Sequence, residues 1–370
     1  MVSDHPQRIA RLAPLGDVLA WIDANVRPVA SSDVPSSQAT GKALAADIAI
    51  TKPIPSHPIS LRDGYALKSE WTNDASPYAP ALLPQVPPVV AVGIYLPAGM
   101  DCVAAPEHVV IKGESAEALA VVAPGDGVLP AGGDVAPNQL VLRAGQKLRA
   151  PVYAVLSAVN TEYVRIRAPR ITVVTKDIRD HGAIIASASD MISSHINRSG
   201  GAAVANFSLE DAFARDIDAV ISIGGTGSGS DDTFVTELRS AGKVAFHGIG
   251  LLPGETAAIG EANGKPVLLM PGRIDAALAC WLLLGRRMFA RLAGSTLDNA
   301  TMPLKLTRKI TSTIGIADVV LLKRDGGEAE PLASGTWPLQ ALMQADSYCV
   351  VPPESEGFPA GATVSASPLP

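Results

Sequence analysis

Aromatic side chains are scarce in this chain. Phe, Trp and Tyr make up 4% of 370 residues, against 47% for apolar residues as a class. The cores must therefore be built from Ala, Val, Leu and Ile. Cysteine is scarcer still: Cys102, Cys280 and Cys349 stand far apart with no C-x-x-C spacing. That excludes a disulfide scaffold and suits a reducing cytoplasm. Positive charge is not in excess, with a formal net charge of −6 and a pI of about 5.6. No run of Lys or Arg offers the footprint that nucleic acid or an anionic membrane requires, although a local basic pocket stays open. Long apolar runs are missing too. The longest, "AALACWLLLG", is half of the roughly 20 residues that span a bilayer. The start, "MVSDHPQRIARLAPLG", has polar residues where a signal peptide needs its apolar core. The expectation is a soluble cytoplasmic protein of two to four domains, with neither nucleic acid nor membrane as partner. No internal repeat or low-complexity segment interrupts it.

Two textures follow each other along the chain. A first helix is expected over "GDVLAWIDANVRPVA", capped by Asp17, with Val18, Leu19, Ile22 and Val26 on one face. A Pro-rich passage, "TKPIPSHPIS", cannot continue a helix. Residues 65 to 148 read as short strands bounded by Gly, Pro and Asp turns. "APVYAVLSAVN" suits a short helix with Pro151 in its first turn. Beyond it, the apolar runs 171–175, 219–225, 244–251 and 266–272 alternate with helix-like stretches, which argues for a parallel sheet covered on both faces. "IDAALACWLLLGRRMFARLAG" should be a helix ending at Gly294, its Arg286, Arg287 and Arg291 placed to suit the dipole. Strand-like pieces return after residue 299.

In an open sheet of this kind, ligands sit beyond the carboxyl ends of the strands. "GGTGSGSDD" and "PGRID" occupy that place, each leading into a helix whose first amides favour an anion. Gly224, Gly225 and Gly227 let backbone approach a phosphate, and Thr226 and Ser228 add hydroxyl donors. Asp231 and Asp232 would repel that phosphate unless a hard cation such as Mg²⁺ lay between them. The plainer alternative is an ordinary βα turn with an Asp N-cap, and the loop by itself does not decide. It is neither a dinucleotide fingerprint nor a P-loop, since no Gly-Lys-Ser/Thr follows. The histidines show no zinc-like spacing, and Cys280 and Trp281 read as core.

A resemblance adds to this. "ISLRDGYAL" (59–67) with "ATGKALAADI" resembles the molybdopterin molybdenumtransferase family, that of MoeA and the gephyrin E domain, where a loop of the form "SamDGYAv" follows "alGrvLAedv". "LPAGMDCVAAPE", "PAGGDVAPNQLVLRAGQKL", "AVISIGGTGSGSDD", "LLPGE", "PVLLMPGRIDAAL" and "SGTWPLQALMQADSYCVVPP" then match family segments in order. The resemblance implies a multidomain α/β plus β molecule. Residues 1–50 with 140–170 would form a discontinuous N-terminal domain and 51–139 a β-rich insert. A doubly wound molybdopterin-binding domain at 171–298 and a C-terminal β-domain at 299–370 would follow. It implies a homodimer that inserts molybdenum from molybdate into adenylated molybdopterin with release of AMP and Mg²⁺ present. A molybdoenzyme client would receive the product. Matching positions are Asp63, Asp101, Glu107, Asp134, Gly224, Gly225, Asp232, Pro253, Gly254, Pro271 and Gly272. Asp63, Asp134 and Asp232 are the expected groups for metal or proton chemistry; a turn aspartate bonding its own backbone is the alternative for the first two.

The pattern also departs from the family. Ile178 stands for a glutamate, Ala186 and Ala188 for an Asp and an Asn, and Val92 for a threonine. Gly248, Leu252 and Glu255 stand where lysines attract phosphate or molybdate. Arg273, Lys176, Arg62 and Arg179 are candidates to replace that charge. Three functions remain open: an insertase, a carrier or adaptor that binds cofactor without turnover, and an enzyme acting on another phosphorylated ligand.

Overall fold

The computed structural model describes residues 7–176, 182–205, 208–297 and 300–370. Ile178, Arg179 and His181, together with the first six residues, lie outside them. The chain divides into a smaller unit, Asp47–Arg143, and a larger one built from the segment up to Ala46 and Ala144–Pro370.

At the heart of the larger unit is a six-stranded sheet. Its strands are β1 (Arg170–Thr175), β2 (Ala202–Ala205), β3 (Ala219–Ile223), β4 (Gly242–His247), β5 (Ala258–Ala262) and β6 (Lys265–Met270), in the order 2-1-3-6-5-4. The first four in that order are parallel; β5 runs against them, and β4 pairs antiparallel with β5 and so runs in their direction again. The sheet is therefore mixed, which corrects the expectation that 244–251 joins a parallel array. The cause is local. Asn263 and Gly264 both have positive φ, +51° and +73°, between paired Ala262 and Lys265. Such an Asn-Gly pair makes a two-residue hairpin and forces its strands antiparallel.

Alternate residues of each strand feed two cores, as a period of two requires. Ile171, Val173, Ile221 and Ile223 pack against Ile185, Ile192 and Ile196 of the helix Gly182–Arg198 and against Trp281 and Met288. On the other face, Val174, Val220, Val267 and Leu269 meet Leu209 and Phe213 of Leu209–Ala214 and Val235 and Leu238 of Phe234–Ala241. Both faces are thus covered, and the sheet is doubly wound.

The long final helix runs from Ile274 to Ala293 with one π turn, Trp281–Gly285, and ends at Gly294 in the left-handed region at φ +59°. Gly285 is needed there: a Cβ would stand 2.4 Å from Trp281 Cε3. The N-terminal helix Leu15–Asn25 starts one turn earlier than Asp17 would have it. Pro14 occupies the N-cap position without a side-chain cap, so Asp17 lies inside the first turn, where its charge still suits the dipole. Asp23 fastens this helix to the last one through a bidentate pair with Arg287. Strand Ser32–Pro35 pairs with Tyr163–Arg167, which also pairs with Ala43–Leu44, so early and later chain share one small sheet.

Five C-terminal strands, Met302–Leu306, Ala317–Asp325, Glu328–Ala333, Ser347–Val351 and Thr363–Pro368, close on one another as a barrel. Leu251–Leu252 adds to it in parallel beside Ala317. The smaller unit is made of short antiparallel pairings, such as Gly64–Leu67 with Val89–Val90 and Cys102–Ala104. No helix among the described residues is long and apolar enough to cross a membrane.

His195 is buried, stacked on Trp281 at 5.9 Å between centroids, and accepts at Nδ1 from Arg198 at 3.1 Å. Burial, then Arg198 and Arg286, push its pKa from 6.5 down to about 4. Between those values the unfolded chain binds a proton that the fold refuses. Its stabilising contribution is therefore whole above pH 6.5 and is lost as pH falls toward 4. The loss amounts to at most about 3 kcal/mol. Melting temperature should drop across that window, and His195→Met should flatten the drop; an equal slope in the variant would contradict this assignment.

Candidate functional site

The chain leaves β3 through glycines because nothing else fits. Gly224 and Gly225 sit at φ +89° and +74°. A Cβ on Gly225 would stand 2.9 Å from Phe234 Cγ, and one on Gly272 would stand 3.4 Å from Gly224 Cα. Both expected loops, after β3 and after β6, thus meet glycine to glycine, and the Gly224 N–H donates to Met270 O at 2.9 Å. Here the glycines serve close packing of backbone on backbone as well as any approach of a ligand.

The carbonyls of the first loop are held by the protein on several sides. Gln7, 1% exposed, donates from Nε2 to Gly227 O at 3.0 Å and Gly225 O at 3.3 Å. Its Oε1 accepts from the Thr236 N–H at 3.0 Å. His247 Nε2 donates to Thr226 O at 3.1 Å, and the hydroxyls of Thr226 and Thr256 meet at 3.1 Å. Burial lowers the His247 pKa, against the bond to Thr226, and Arg239 lowers it further. The amides are treated differently. Among the described residues the N–H groups of Thr226, Gly227 and Ser228 donate to no protein acceptor. Three successive amides without protein acceptors thus follow the two left-handed glycines, the kind of backbone donors an anion can take up.

Further along, Asp232 Oδ2 accepts from the Gly229 N–H at 2.9 Å, while the Asp232 N–H donates to Gly229 O at 3.1 Å. Asp232 thus ties off the loop, and the helix N-cap falls to Thr233 instead. Asp231 is exposed, and among the described residues no three His, Cys, Asp or Glu side chains converge as metal ligands. Lys176 Nζ donates to Thr233 Oγ1 at 2.8 Å and lies 5.0 Å from the Phe234 ring centroid. Of the cations proposed from sequence, this one reaches the loop. Arg273 is committed to buried Asp275 by two bonds of 3.0 Å, and Asp275 also accepts from the Trp337 N–H at 3.1 Å. Arg62 pairs with Asp126 within the smaller unit. A cleft of about 590 Å³ flanks the loop's far end, and its carboxylates, Glu210, Asp232 and Glu237, make it unfavourable for an anion.

At position 248, where the resemblance expects a lysine, φ is +83° and a Cβ would stand 2.4 Å from Ile9 Cγ2. No longer side chain fits there. Pro271 lies between the strand end at Met270 and Gly272, and Ser228 is exposed on the loop crest. In the smaller unit, Asp63 is exposed and accepts from the Val92 N–H at 2.9 Å, and Asp134 is exposed with its own N–H on Ile54 O at 2.9 Å. The structure therefore joins Gly224, Gly225, Thr226, Gly227, Ser228, Asp232 and Gly272 about one turn. Gln7 and His247 are part of the same constellation although sequence reasoning named neither as a site residue.

Residues 13–160 match the family model described as "MoeA N-terminal region (domain I and II)", and residues 173–291 match "Probable molybdopterin binding domain". The chain belongs to the MoeA family. Its biochemical setting is molybdenum-cofactor biosynthesis. It is 25% identical to a Methanocaldococcus jannaschii protein assigned to molybdopterin biosynthesis, over 88% of this chain and 89% of that one. It is 26% identical to molybdopterin molybdenumtransferase 2 of Mycobacterium tuberculosis, over 70% and 74%. A molybdopterin biosynthesis MoeA protein of Pyrococcus horikoshii has the same fold, with a TM-score of 0.82 at 22% identity over 97% of this chain and 100% of that one. A Pyrococcus furiosus molybdenum-cofactor biosynthesis protein has a TM-score of 0.64 at 18% identity, with 97% and 100% covered.

Gly225→Ala places a methyl at φ +74° and 2.9 Å from Phe234. The left-handed backbone and the crowding together should cost about 2 kcal/mol. Urea melts should read this, and a variant as stable as the parent would show that the turn has other conformations available.

Proposed function

We propose that the larger unit binds molybdopterin through its phosphate, seated on the Thr226, Gly227 and Ser228 amides, and that adenylated molybdopterin is the form it meets. The single observation that carries this is that those three N–H groups lack protein acceptors while the carbonyls between them are satisfied. A phosphate supplies the missing acceptors without needing a basic side chain. Gly224, Gly225, Pro271 and Gly272 shape the seat, and Lys176, bonded to Thr233 on the same loop, brings a positive charge.

Insertion of molybdenum from molybdate, with release of AMP, is the reaction expected of this setting. Asp232 is its proposed carboxylate in the larger unit, and Asp63 and Asp134 are those in the smaller. Mg²⁺ usually takes only one or two carboxylates and completes its shell with phosphate and water. Asp231 and Asp232 are the two carboxylates proposed to meet that modest demand. When bound, the ion would offset the repulsion between these carboxylates and the ligand phosphate. A homodimer and a molybdoenzyme client belong to the same proposal.

A second reading, a carrier that binds the pterin without inserting metal, is favoured by one observation. Ile9 fills the space beside Gly248 where a lysine would stand, and Glu255 is exposed on the neighbouring turn. Reversing the sign of a charge near an oxyanion is worth a few kcal/mol, ~4 at 4 Å and moderate dielectric.

Purified protein mixed with adenylated molybdopterin, Mg²⁺ and molybdate separates the readings. The insertase reading expects molybdate-dependent AMP release. Asp232→Asn, which keeps an acceptor for Gly229 but loses the charge, should abolish release while leaving binding intact. Binding without release in the parent supports the carrier; absence of binding rejects both.

A further inference from the structure

One of the side chains that hold the Gly-rich loop comes from a segment more than two hundred residues earlier in the chain. Gln7 uses its whole amide for this. Two carbonyls face one end and a backbone N–H faces the other, so Nε2 and Oε1 can be assigned in only one way. The segment behind it is fixed by backbone bonds: the Ala13 N–H donates to Gly248 O at 2.9 Å and the Gly250 N–H to Ala13 O at 2.8 Å. Ile9 and Leu12 pack over Gly248, so Gln7 is delivered to the loop by an anchored strap.

The consequence for the ligand follows from peptide geometry. In a trans peptide the C=O of one residue and the N–H of the next point in opposite directions. Drawing the Gly225 and Gly227 carbonyls onto Gln7 therefore aims the Thr226 and Ser228 amides away from it. His247, holding the Thr226 carbonyl, likewise aims the Gly227 amide away from its own ring. We propose that Gln7 is a positioning residue for the anion seat: it presents the loop amides to a phosphate by holding their partner carbonyls. This rests on the reading of the seat as a phosphate site, and Gln7 itself touches no ligand.

Two variants test it. Gln7→Met keeps the length but makes none of the three bonds. Gln7→Glu keeps an acceptor for the Thr236 N–H but loses both donors and turns a carboxylate toward two carbonyls. Molybdopterin affinity, melting temperature and amide hydrogen exchange over 225–236 and 266–270 would be measured on the full chain. Both variants should bind molybdopterin at least about tenfold more weakly. Exchange should quicken in 225–236 and stay unchanged in 266–270, which a general loss of stability would not produce. If Gln7→Met does not fold, Gln7→Glu gives the same readout. Parent-like affinity with parent-like loop exchange would overturn the proposal. Should the parent bind no molybdopterin, the phosphate reading fails by itself; quickened exchange confined to the loop would still support positioning, and unchanged exchange would overturn it.

Discussion

Unequal satisfaction of one turn's backbone is the constraint on which the site depends. Every peptide brings an acceptor and a donor, and folding normally satisfies both or leaves both to water. Between β3 and the helix Phe234–Ala241, the acceptors are taken by Gln7 and His247 while the adjoining donors are left open. The result is a patch of partial positive charge built without a formal cation. Of the three donors, that of Thr226 belongs to a buried residue and that of Ser228 to an exposed one. Glycine at positions 224 and 225 is what allows the turn to be so tight.

This arrangement bears on the missing lysines. A family member that loses cations at 248, 252 and 255 would be expected to replace them nearby. It does so only in part. Arg273 is neutralised by Asp275, and through Trp337 that pair ties the second loop to the C-terminal barrel. Among the described residues, Lys176 is the sequence candidate that reaches the loop, and it is steadied by Thr233, which donates in turn to Glu237 at 2.5 Å. Backbone amides as donors do not depend on such side chains, whereas attraction of an oxyanion by formal charge does.

Much of this was legible beforehand, for physical reasons. The apolar run ending in glycines marked the turn, because a buried strand followed by residues without Cβ has few other uses. The end of the last helix at Gly294 could be read from its C-terminal arginines and the glycine. Other features resisted because their partners are remote. Gln7 looks like any polar residue near a terminus, and its three bonds reach 218 to 229 residues along the chain. For His247 the sequence offers a surface or packing role over a metal-binding one, and its bond to the Thr226 carbonyl needs the loop beside it. Asp232 was assigned to a metal; the structure also gives it the task of tying off its own turn. The antiparallel edge of the sheet is a different matter. Asn263-Gly264 carried the signal in plain sequence, and the alternating pattern around it drew attention elsewhere.

Chemical shifts of the loop amides test the central claim most directly. With the ¹⁵N-labelled chain titrated by molybdopterin, the Thr226, Gly227 and Ser228 resonances should move downfield together and saturate with one affinity, while the Gly229 amide, already bonded to Asp232, moves little. Shifts confined to other regions, or none at all, would contradict it.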